Sequence, residues 1–124
     1  MLYDYVIVSS RRFKKEANMI GKQIMEKGFQ VKLISEPAPR IETDGRDILK
    51  KLKIKYQKQH FEAIRNCKRG VVLCNFDGYI GLNTAAELIF ANAYGIPILS
   101  IESVNSDQEE LIIMNIKRFN LHSL

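Results

Sequence analysis

The sequence predicts an α/β fold built on a parallel sheet of four or five strands, and three observations predict it. Short apolar runs at Tyr3–Ser9, Phe29–Ser35, Val71–Asn75 and Ile96–Ile101 alternate with amphipathic stretches long enough to be helices. The run at Val71–Asn75 is apolar up to its last residue, as a strand covered on both faces requires. Glycine and proline mark the handovers between runs. Right-handed crossovers through such a series give the order 2-1-3-4, a flavodoxin-like three-layer sandwich.

Each element has its own justification. Tyr3–Ser9 is rich in β-branched residues and forms the first strand. Arg12 to Lys27 follows as a helix, with Phe13, Ala17, Ile20 and Ile24 on one stripe and Gly28 placed to end it in a left-handed cap. Phe29–Ser35 is the second strand. Glu36 to Gly45 holds two prolines and a glycine, which makes it a loop. A long helix from about Asp47 to Cys67 carries Leu49, Leu52, Tyr56, His60, Ala63, Ile64 and Cys67 on its apolar face. Val71–Asn75 is the third strand, and Thr84–Tyr94 the third helix, closed by Gly95. Pro97 is tolerable at the start of the fourth strand, Ile96–Ile101. Ser106 and Glu109 have capping-box spacing, so the tail reads as a last helix.

Bulk composition narrows the functional classes. At 124 residues the chain is expected to be one domain spanning 1–124, with enough length for a core without staples. No run approaches the roughly 18 apolar residues of a membrane span, and strand-like sequence starts almost at once, so neither a membrane nor a signal peptide is expected. Cys67 and Cys74 lie in apolar context without metal-ligand spacing, which reads as reduced core cysteines in a cytoplasmic protein. No metal set and no cofactor motif is visible.

The net charge of +5 is uneven: residues 1–70 carry 17 Lys/Arg against 8 Asp/Glu, and residues 71–124 carry 2 against 6. The basic charges are spread over two amphipathic helices, so solvated helix faces account for most of them and nucleic acid is not the expected partner. A basic field that draws in a phosphorylated small molecule fits as well.

The predicted topology places a switch point between strands one and three, where ligands of open α/β sheets bind. Ser9, Ser10, Arg11 and Arg12 leave strand one there, and Asn75 to Glu87 leave strand three. Hydroxyls, free helix amides and guanidinium groups suit a phosphate, although Ser10 as a helix cap beside solvated arginines explains the same residues. Asn75, Asp77, Gly78, Tyr79, Gly81 and Asn83 form a polar loop after a buried strand. Turn chemistry accounts for Asp77-Gly78, and Tyr79 either stacks on a ligand ring or covers the sheet edge. Glu87 has two readings. With Thr84 it spells a capping box; as an ionised carboxylate near a helix N-terminus it is also a nucleophile for carbon. His60, on an apolar stripe, reads as a satisfied core histidine or as a catalytic group.

The segment Asn75-Phe-Asp-Gly-Tyr-Ile-Gly-Leu-Asn-Thr-Ala-Ala-Glu87, the Ser10-Arg11-Arg12-Phe13 turn and His60 upstream of strand three together resemble the nucleoside 2-deoxyribosyltransferase-like superfamily. The resemblance covers residues 3–102 and also extends to deoxynucleoside 5′-monophosphate N-hydrolases. It implies N-glycosidic bond cleavage in a nucleoside or nucleotide. Glu87 would be the nucleophile, Asp77 or Tyr79 the proton donor, and the Ser9 to Arg12 turn with Asn75, Gly78, Gly81, Asn83 and Thr84 the substrate contacts. It also implies a homo-oligomer. Two acidic positions of the best-known transferases fall on Lys68 and Gly81 here, and their loss suits a 5′-phosphate beside the Ser/Arg turn. The runner-up is a nucleotide- or nucleotide-sugar-binding module without turnover.

Overall fold

The structure, a computed structural model, describes residues 2–35, 46–105, 107–108 and 116–124. Among them five strands, β1 (Tyr5–Val8), β2 (Val31–Lys32), β3 (Gly70–Leu73), β4 (Ile98–Ser100) and β5 (Ile116–Arg118), form one sheet in the order β2-β1-β3-β4-β5. Every neighbouring pair is parallel, with Tyr5 opposite Gly70 and Val71 opposite Ile98. Among the described elements three helices flank the sheet: α1 (Lys14–Glu26), α2 (Arg46–Asn66) and α3 (Leu82–Ala93). This is a flavodoxin-like α/β sandwich, the fold class that the alternation predicts.

Side-chain alternation in the two central strands divides the core. Val6 and Val8 of β1 join Val71 and Leu73 of β3 beneath Ala63 and Ile64 of α2 and Leu88 and Ala91 of α3. Tyr5, Ile7, Val72 and Cys74 face the other way, onto Ala17 and Ile24 of α1. Gly28 adopts φ +97 after α1, the left-handed closure expected of it.

The elements differ from expectation in two places. β2 pairs over only two residues, because Asn18 of α1 takes over the backbone of Ile34: its Oδ1 accepts the Ile34 N–H at 2.9 Å and its Nδ2 donates to the carbonyl at 3.2 Å. The end of the chain adds a strand that was not expected; the helix expected from Ser106 falls mostly outside the described residues, although Asp107 and Gln108 are helical. β5 pairs with β4, and Phe119, Leu121 and Leu124 pack into the α1-side core. The loop read over 36–45, the Leu49 side chain, and the Ser106 and Glu109 pair lie outside the described residues.

Both cysteines are free, and burial raises both thiols, Cys74 to about 12, so neither is a ready thiolate. Among the described residues no helix is long and apolar enough to cross a membrane.

Candidate functional site

A cleft of about 800 Å³ opens where the segments following β1, β2 and β3 meet α2 and α3. Its position follows from the strand order: β1 and β3 are neighbours, and their chains leave in different directions to α1 and α3.

Glu87 stands in the cleft wall, and its place in α3 excludes the capping-box reading. The first helical hydrogen bond runs from the Ala85 N–H to the Gly81 carbonyl at 2.9 Å, so Gly81 (φ −75, ψ 169) is the N-cap. Thr84 is then already the third helical residue and 2% exposed, and the capping box does not form. Glu87 instead turns towards α2, where its Oε2 lies 2.8 Å from Nε2 of His60. With Glu87 ionised, the ring N–H is the donor, since a carboxylate only accepts. His60 thus leaves the core reading as well: it lines the cleft with 15% of its side chain exposed.

The other expected residues divide into wall and support. Ser9, Ser10, Arg11, Tyr79, Gly81, Asn83 and Thr84 line the cleft together with Glu87. Ser10 is extended and makes no side-chain cap bond, which leaves its hydroxyl for a ligand. Ser9 is committed on its donor side, giving its hydroxyl hydrogen to the Cys74 carbonyl at 2.9 Å. Arg11 is exposed, and Lys14 beside it is lowered in pKa, first by burial and then by the Arg11 charge.

Arg12, Asn75, Asp77 and Gly78 do not line the cleft. The Arg12 guanidinium sits over the rings of Tyr79, at 4.9 Å, and Phe13, at 5.2 Å, and so braces the aromatic rim. Asn75 is fully buried and binds the Glu102 backbone at both ends, each bond 3.0 Å long. Asp77 lies exposed at φ +57, its backbone N–H donating to the Glu102 carboxylate at 2.9 Å. The Gly78 carbonyl accepts from Gln108 at 3.1 Å. These three shape the loop from outside the cleft.

α2 contributes further wall residues, of which the sequence reading singled out only Tyr56 and His60. Lys53, Tyr56, Gln57, His60 and Phe61 all line the cleft. Their spacing, three and four residues apart, is one helical stripe and was available as a signal. Among the described residues of the lining, Arg11 and Lys53 stand against the single carboxylate of Glu87. Among the described residues no group of three or more His, Cys, Asp or Glu could hold a metal ion.

No protein-family model matches the chain, and no curated protein is similar enough to it to count as a match. Fold and site define a class by themselves: a parallel α/β sandwich whose switch-point cleft presents, among the described residues, one carboxylate held by an imidazole beside two basic side chains.

Proposed function

We propose that the cleft cleaves or transfers the N-glycosidic bond of a nucleoside or deoxynucleoside, preferentially as its 5′-monophosphate, through a covalent sugar ester on Glu87. The observation that carries this reading is the Glu87 carboxylate itself. It is free of any capping duty, held at one oxygen by His60, and in the wall of a cleft that also exposes Ser10 and Arg11. A carboxylate so held can attack an anomeric carbon. Ser10 and Arg11 are suited to the phosphate. Tyr79 supplies a face for the base or its proton, whereas Asp77, outside the cleft, is the weaker donor. A Cβ at Gly81 would lie 3.7 Å from the Ser10 hydroxyl, so the missing side chain keeps negative charge away from the phosphate position.

Chromatography of wild-type protein incubated with ribo- and deoxyribonucleosides and their 5′-monophosphates tests the reading. Free base is expected, with the monophosphates preferred. Arg11→Ala should raise KM for monophosphates about tenfold, the worth of one charged hydrogen bond, and leave free nucleosides unaffected. Release of base from no substrate removes the proposal. The second reading, a nucleotide-binding module without turnover, is favoured by the single carboxylate among the described residues of the lining. It predicts nucleotide binding that Glu87→Gln leaves unchanged.

A homo-oligomer belongs to the same reading. The apolar stripe of α2 supports the core through Ala63 and Ile64, but α3 turns Leu82, Ala86, Ile89 and Ala93 to solvent, with Leu82 88% exposed. A two-fold axis across this stripe sets Leu82 against Ala93 and Ile89 against Ala86 of a second copy, large against small. Light scattering should give a dimer or multiple of it, reduced to monomer by Ile89→Lys. A monomeric wild type would sink this part alone.

A further inference from the structure

His60 sits about two-thirds of the way along α2 and Glu87 in the second turn of α3, and their side chains meet across the two helices at 2.8 Å. Both are mostly covered, with 15% and 20% of the side chains exposed. No cap or backbone bond of α3 fixes the Glu87 side chain, so its aim depends on what it meets across the gap. Lys53, the cation on the same face of α2, is seven residues away, or about 10 Å along the helix axis. Once Oε2 is taken by the ring N–H, Oε1 is left for chemistry.

We propose that His60 is the positioning residue of Glu87, selecting Oε1 as the attacking atom and receiving the carboxylate charge when the sugar leaves. This rests on the glycosidic reading and specifies its steps. In the first displacement the Oε1–C1′ bond forms as the C1′–N bond breaks. The electron pair goes to the base nitrogen, which takes a proton from Tyr79 or solvent. In-line geometry puts the departing base on the far side of the sugar from Glu87. His60 therefore lies behind the nucleophile and is not the base's proton donor. In the second displacement a water oxygen, or an acceptor-base nitrogen, bonds to C1′ and releases its proton to solvent. The C1′–Oε1 pair returns to Glu87, where the His60 N–H stabilises the reappearing charge. The second displacement is the step that needs His60 most.

Two variants test this. In His60→Leu, kcat should fall about 10- to 100-fold, the worth of one charge-assisted hydrogen bond, with KM nearly constant. The sugar ester should then build up as an adduct in intact-protein mass spectra. His60→Gln keeps an N–H near the position of Nε2 and should recover most of kcat without the adduct. Wild-type kcat in both variants, or equal damage in both with no adduct, overturns the assignment. A second arm needs no turnover: urea midpoints of wild type, His60→Leu, Glu87→Ala and the double variant, since alanine at 87 removes the acceptor altogether. Non-additive shifts support the pair, and additive shifts overturn it. Coupling in urea together with no base release from any substrate would leave the pair standing and remove the glycosidic reading instead.

Discussion

Glu87→Gln should abolish base release, lowering it by roughly 10⁴-fold or to the detection limit, while the protein melts within a few degrees of wild type. The amide is almost isosteric and still accepts the His60 N–H, so the bridge between α2 and α3 can persist. It is no nucleophile, so the ester cannot form. The helix start is indifferent to the change, because Gly81 and not Thr84 is the N-cap. Paired base-release assays and thermal melts check both halves. A variant that keeps turnover would show that the carboxylate has no covalent role. One that loses stability and activity in parallel would make it a structural bridge.

The largest effect on stability is expected from Gly70→Ala. Gly70 opens β3 at φ +148, a backbone state costly for any residue with a side chain, and an added Cβ would stand 2.7 Å from the Pro97 carbonyl oxygen. Nothing flexible is there to give way: that carbonyl is main chain and already accepts the Val71 N–H at 2.9 Å. Destabilisation of roughly 3 kcal/mol or more is expected, with a fall in Tm of roughly 10 °C. Urea denaturation measures it. An unchanged midpoint would mean that β3 and β4 can separate at Pro97 without penalty.

How much of this was legible in the sequence depended on what lay against each residue. Val71 to Leu73 read correctly as a doubly covered strand, since the core packs both of its faces. The helical stripe of α2 was legible too, but periodicity reports only that residues share a face. Ala63 and Ile64 meet the sheet, whereas Lys53, Tyr56, Gln57 and His60, nearer the start of the same helix, line the cleft. Of the residues read as the apolar face, Tyr56 and His60 therefore line the cleft, the latter against the core reading that was one of its two. Thr84 and Glu87 spelled a capping box because Gly81-Leu82-Asn83 looks like loop, and the helix in fact begins there. Asp77 was drawn towards the site by sequence proximity. Its positive φ and the Glu102 carboxylate hold it outside, a contact between residues 25 positions apart that no local pattern announces.

The side chains that tie the strand ends together bear on how a ligand is received. Ser9 fastens the end of β1 to that of β3 through the Cys74 carbonyl, and Asn75 fastens the end of β3 to the chain leaving β4 through both faces of the Glu102 peptide. These bonds bridge 65 and 27 positions of sequence, so their ordering entropy is met when the chain folds and not when a ligand arrives. The floor of the cleft is preorganised. On the glycosidic reading, adaptation to different substrates falls to the exposed rim, to Arg11 and the Tyr79 ring under Arg12. Changes there should alter which ligand is accepted, and changes to the ties should weaken all ligands alike.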